Sequence, residues 1–215
     1  DLLMIIANKI FSDLPLRIMQ KVLNRFNEIA IKVCEGQQYD MNYENEKSIT
    51  EKQYINMIRL KTATLIGFSL ELGGILSKMK DLDIKNLYQF GEFIGIGFQL
   101  QDDYLDVFGD RKFGKKIGGD ILLNKKTYLL IKLLESTNEN EKIIINNWIN
   151  NSNKPIQKIE AITNLMKDKN IDSITESVIN DYFNKAFDYL KKIDIKNSQK
   201  NELIEFSKKL INRKN

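Results

Sequence analysis

Three aspartates, Asp102, Asp103 and Asp106, fall within five residues of a stretch that otherwise reads as buried helix. On a helix turning about 100° per residue, these three and Gln99 share one face within an arc of roughly 100°. Carboxylates so close repel one another and resist losing their water unless a cation stands between them. All-oxygen donors on a rigid helix favour magnesium, which takes one or two carboxylates, keeps some waters and completes its shell with phosphate oxygens. Positive charge for such a phosphate follows at once. Arg111, Lys112, Lys115 and Lys116 are interleaved with Gly109, Gly114, Gly118 and Gly119, and glycines let backbone amides approach an anion closely. A calcium loop beginning at Asp102 is excluded, because Tyr104 occupies its third position and its sixth is not glycine. The plain alternative is an acidic, solvated helix face followed by a basic turn.

The elements that must carry these residues read as helices throughout. The chain has 215 residues, enough for one domain with a sizeable core. A hydrophobic share of 42% against 29% charged residues is that of a soluble globular protein. The net charge of +4 is mild and its signs are mixed along the chain, so no nucleic-acid partner is expected, and the basic end at Lys208, Lys209, Arg213 and Lys214 reads as a solvated tail. One cysteine, Cys34, excludes an internal disulfide and fits a reducing, cytoplasmic setting. With no histidine, histidine-based zinc sites and Ser-His or Cys-His nucleophiles are excluded, leaving carboxylate, lysine and metal chemistry. No apolar run is long enough to span a membrane.

Residues 1–11 are strongly apolar and start without a capping residue, as though cut from within a helix, so preceding sequence is expected. Asp13 with Pro15 signals a helix start, and Ile18, Val22, Phe26, Ile29 and Val33 continue the period to about Tyr39. Thr50 and Gln53 form a capping box for a helix over 51–77. A second long helix covers 83–108, and shorter ones follow at 125–135, 139–149, 155–169, 171–193 and 199–212. Gly67, Gly73 and Gly74 in one long helix and Gly91, Gly95 and Gly97 in the other predict close packing, since an interior glycine costs about 1 kcal/mol. Gly36 reads as a helix end or kink and Asp120 as a possible cap of the next helix. Prolines number two and no strand pattern stands out, so the fold class is all-α.

The run GIGFQLQDDYLDVFGD with the following GKKIGGD resembles the second aspartate-rich motif of the trans-isoprenyl diphosphate synthases, the polyprenyl synthetase family. Other segments match that family in the same order. The segment GQQYD, with Gln37 and Asp40, is similar to its segment near the allylic site, and Lys61-Thr62 to its Lys-Thr pair. The resemblance implies an isoprenoid-synthase-type bundle around a central cavity, with residues 1–215 as a single domain lacking its N-terminal helices. It implies Asp102, Asp103, Asp106 and Asp120 as the magnesium set, and Lys61, Lys115, Lys125, Gln37 and Asp40 around a diphosphate. Lys61, Thr62 and Gln99 then serve catalysis, the Thr62 and Gln99 dipoles facing a developing carbocation. Taken singly, each has a plainer reading, such as an exposed helix lysine at Lys61 or a closed helix end at Gln37 and Asp40.

The implied reaction is prenyl transfer from an allylic diphosphate to isopentenyl diphosphate in a cytoplasmic homodimer formed through the first two segments. The family's first aspartate-rich motif has no counterpart between Asp1 and Asn215, so the chain holds half of the expected magnesium cage and is expected to be inactive alone. That departure keeps open a non-catalytic prenyl-synthase-like subunit or a helical interaction protein. A terpene cyclase is disfavoured, because the second metal motif of that class is not evident.

Overall fold

A computed structural model describes residues 2–109, 117–150 and 153–211. Among them every regular element is helical: α1 (Leu2–Ser12), α2 (Leu16–Asn45), α3 (Glu51–Ile58), a π-helical turn (Arg59–Ala63), α4 (Thr64–Leu76), α5 (Asp81–Phe108), α6 (Gly119–Leu122), α7 (Tyr128–Ser136), α8 (Glu139–Asn150), α9 (Pro155–Asp168), α10 (Ile171–Lys191) and α11 (Asn197–Ile211). None is long and apolar enough to cross a membrane.

The long helix α5 is the axis of the fold, and it contributes to three apolar clusters. Its Phe90, Ile94 and Leu100 join Tyr54, Met57, Phe183 and Leu190 in the largest. Its Ile84 and Tyr88 pack with Val22, Phe26 and Phe68. Near its end, Val107 joins Ile121, Leu129, Ile145 and Ile162. Glycines let α4 and α5 pass in direct contact rather than across a gap, as the small-residue stretches predicted, except at Gly73, where a Cβ would meet nothing within 4 Å. A Cβ at Gly91 would stand 2.8 Å from the Gly67 Cα, and one at Gly95 would stand 2.5 Å from the Ala63 Cα.

Six local expectations are corrected. Helix α2 does not stop near Tyr39 but runs to Asn45, and Gly36 lies inside it rather than at its end. Asp13 does not cap α2. Pro15 stands at that position instead, its carbonyl accepting from the Ile18 and Met19 amides at 2.8 and 2.9 Å. The 51–77 helix keeps its Thr50–Gln53 capping box but is interrupted by the π turn, where the Thr64 amide reaches back to the Arg59 carbonyl. Asp120 is not a cap but sits inside α6, and the helix expected from 125 begins at Tyr128, capped by the Thr127 hydroxyl.

Candidate functional site

The π turn is the centre of the site, and glycines decide what comes near it. Adding one residue to a helical turn widens it and displaces the side chains it carries, a distortion found often at functional positions. On one side Gly36 of α2 presses on the turn: a Cβ there would stand 2.7 Å from the Lys61 Cα. One helical turn later on α2, Asp40 reaches Lys61, its Oδ2 accepting from Nζ at 2.5 Å. On the other side Gly95 of α5 presses on Ala63. One turn beyond it Gln99 accepts a hydrogen bond from the Thr62 hydroxyl at 3.2 Å, and after one more turn Asp103 accepts from Gln99 Nε2 at 3.2 Å. Each glycine thus sets a helix against the turn, and the residue four positions on makes the polar contact.

Asp103 is buried, only 1% exposed, and its other oxygen accepts from the Tyr54 hydroxyl of α3. Burial, above all, pushes its carboxyl up to about 7; the Asp120 charge adds to the rise, while Lys125 and the hydrogen bonds from Tyr54 and Gln99 oppose it. The Tyr54 phenol is raised well above its ordinary value by burial and then by Asp103. In the bonds the structure holds, Gln99 turns its amide nitrogen to Asp103 and its oxygen to Thr62. Thr62 donates in this bond, which leaves the lone pairs of its oxygen uncommitted to Gln99.

The last turn of α5 builds the second half. Asp106 Oδ2 accepts from the Asp120 amide at 2.9 Å and its carbonyl from the Gly118 amide at 2.6 Å, which fastens α6 to α5. Gly118 needs its glycine, for its φ is +82°. Helix α6 ends in a Schellman turn: the Asn124 amide donates to the Ile121 carbonyl and the Lys125 amide to the Asp120 carbonyl, at 3.2 and 2.9 Å, with Asn124 at φ +53°. The same turn folds the Lys125 ammonium back to the Asp120 carboxylate, 3.3 Å away. Burial would lower the Lys125 pKa, but Asp103, Asp120 and Asp40 outweigh it and the net shift is upward. A lysine that feels acids from α2, α5 and α6 lies where those elements converge. Beside it Asp40, Tyr43, Tyr54, Met57 and Lys125 line a cleft of about 430 Å³.

The family pattern described as polyprenyl synthetase matches residues 1–166, well over half of the chain. The chain belongs to the polyprenyl synthetase family. A geranylgeranyl diphosphate synthase of Saccharolobus solfataricus is 34% identical over 175 residues, which make up 81% of this chain and 52% of that protein. A crystal structure of a geranylgeranyl pyrophosphate synthase superposes with a TM-score of 0.89 at 33% identity, over 98% of this chain and 66% of that one. Another, from Corynebacterium glutamicum and complexed with isoprenyl diphosphate and magnesium, gives a TM-score of 0.83 at 25% identity, over 94% and 58% of the two chains. The chain spans about half the length of the curated relatives it matches. Its all-α architecture is that of the isoprenyl synthases.

Of the residues singled out by the polyprenyl synthetase resemblance, Asp40, Lys61, Thr62, Gln99 and Asp103 are joined by hydrogen bonds at the π turn, and Asp106, Asp120 and Lys125 at α6. Asp102 lies half-buried between them on α5. Gln37 is on an exposed part of α2, and Lys115 lies outside the described residues. The acids that the resemblance names for magnesium come from two elements, Asp102, Asp103 and Asp106 from α5 and Asp120 from α6. Among the described residues no three acids are placed to hold an ion by themselves, because Asp103 is turned to Tyr54 and Asp106 to α6. The donor chemistry nevertheless fits a hard divalent cation. Among the described residues the site combines the carboxylates of Asp40, Asp102, Asp103, Asp106 and Asp120 with the ammonium groups of Lys61 and Lys125, and magnesium draws most of its shell from substrate and water. Tyr54 escaped the sequence reading. Its signal is its place in the first turn after the capping box, on the helix that leads into Lys61.

Proposed function

We propose that this chain contributes the diphosphate-holding half of a site for prenyl transfer from an allylic diphosphate to isopentenyl diphosphate. The observation that carries the reading is the hydrogen-bonded series Thr62–Gln99–Asp103–Tyr54, which brings the Lys-Thr pair and the aspartate-rich motif to one place.

In that reaction the allylic C–O bond breaks, the isopentenyl double bond attacks the carbocation, and a proton then leaves to the released diphosphate. Lys61 and Lys125 bind the diphosphate, with Lys115 as a further proposed ligand and Gln37 and Asp40 at its margin. The Thr62 oxygen, its proton directed to Gln99, presents lone pairs to the developing cation, and this fixed dipole costs no reorganisation at the moment of reaction. Asp102 and Asp106, one turn apart, would hold magnesium, with Asp103 and Asp120 behind them. The family is generally magnesium-dependent. When bound, the metal supplies the charge that stabilises the leaving diphosphate. That a solved relative is complexed with isoprenyl diphosphate and magnesium supports a site for both ligands in this fold.

All three apolar clusters draw on α5, which supports one domain over 1–215. Helix α1 exposes Leu2, Leu3, Ile5 and Ile10, and a second copy of the chain covering this face in a homodimer goes with the reading. Val22 of α2, by contrast, is fully buried in the core and takes no part in this face. A cytoplasmic location completes the proposal.

Calorimetry with inorganic diphosphate tests it. Binding that requires magnesium and weakens in Lys61→Gln is expected; no binding with or without the metal would overturn the reading.

A further inference from the structure

Lys158 of α9 lies outside every motif considered so far and is only 1% exposed. A fully buried lysine is uncommon unless paired with an acid. The hydrogen bonds of this one go to neutral oxygens of a single turn: Nζ donates to Asn124 Oδ1 at 2.5 Å and to the Leu122 carbonyl at 3.4 Å. Asn124 in turn donates from Nδ2 to the Ile149 carbonyl of α8 at 3.2 Å. The turn held in this way is the Schellman turn of α6, with Asn124 at φ +53° and Lys125 directly after it. Asp120, Asn124, Lys125 and Lys158 line one small shared cavity of about 20 Å³, room for roughly one water.

We infer that Lys158, acting through Asn124, is a positioning residue that clamps the α6 turn against α8 and α9 and so fixes Lys125 where a diphosphate is to be bound. Two elements far along the chain thereby take part in the anion site without touching the anion. The ammonium suits the task because it offers three donors and can satisfy carbonyl and amide oxygens that the turn leaves pointing inward. A neutral side chain of similar length would leave those oxygens buried and unpaired. The role in diphosphate binding rests on the function proposed above, whereas the clamp on Lys125 does not.

The test uses Lys158→Met, which keeps the side-chain length without the charge, and Asn124→Gly, which keeps the left-handed turn but removes the link. Two measurements are made on the 215-residue chain: the rate at which Lys125 is acylated, followed by peptide mass spectrometry, and the affinity for inorganic diphosphate with magnesium. Both variants are expected to acylate Lys125 faster and to bind diphosphate roughly tenfold more weakly, the usual loss when a group that orients a ligand from behind is removed. In a Lys125→Gln background Lys158→Met should add little further loss, which a merely stabilising role would not produce. Unchanged Lys125 reactivity in a folded variant overturns the clamp. If Lys158→Met does not fold, Asn124→Gly decides. If the parent chain itself fails to bind diphosphate, the proposed function falls and the acylation rates alone judge the clamp.

Discussion

Where α4 and the end of the π turn pass α5 at Gly67, Gly91 and Gly95, backbone lies directly on backbone. One to two turns farther along α5 the same helix is joined to the π turn by side-chain hydrogen bonds, through Gln99 and Asp103. The first region is apolar and specified by the absence of side chains. The second is polar and holds a buried carboxyl whose pKa is pushed up to about 7 by its surroundings. A rigid seam can carry a costly polar cluster, because the hydrogen bonds do not have to position the helices themselves. The polar end spends stability for function and the seam supplies it.

The largest effect that would sharpen this contrast concerns catalysis. If the polar end provides only one set of metal ligands, the 215-residue chain given an allylic diphosphate, isopentenyl diphosphate and magnesium should form no product above background. A chain extended by a segment bearing a second aspartate-rich motif should be faster by several powers of ten, at about 1.4 kcal/mol for each. Robust turnover by the short chain would show that the one acidic set suffices.

Next in size is a break in the seam. Gly95→Leu drives a side chain into Ala63, and overpacking of this kind typically costs about 1–3 kcal/mol or more. A lower melting temperature, with weaker diphosphate binding at temperatures where the variant is still folded, is expected. A variant that melts early yet binds normally would uncouple the two regions.

Tyr54→Phe strikes the polar end alone. Removing the hydroxyl leaves the buried Asp103 short of a donor, at a cost of about 1–3 kcal/mol in chemical denaturation. No change in stability would mean that the contact adds nothing to the fold. The smallest effect is expected on binding only. Asp102→Ala should weaken magnesium-dependent diphosphate binding roughly tenfold, while Asp110→Ala, outside the described residues, should change it less. Equal losses in calorimetry would reduce the acidic face to diffuse charge.

Much of this molecule could be read along the chain. Helical period, the Thr50–Gln53 box and the spacing of Asp102, Asp103 and Asp106 are local properties, and each depends on residues within a turn or two of one another. The order of the motifs was enough to name Lys61, Thr62, Gln99, Asp120 and Lys125 together. What the sequence could not determine depends on which surfaces meet. Gly36 reads locally as a helix end, yet α2 continues through it because the π turn needs that space. The π turn itself carries no local signature, since its geometry arises from helices pressing on both sides. Asp103 and Asp106 look equivalent to Asp102 on a helical wheel, but packing turns one to Tyr54 and the other to α6. Tyr54 and Lys158 acquire their roles from partners 49 and 34 residues away. Spacing on one helix determines which residues share a face; only the tertiary contacts decide what that face meets, because the burial and hydrogen bonding that fix each side chain come from other parts of the chain.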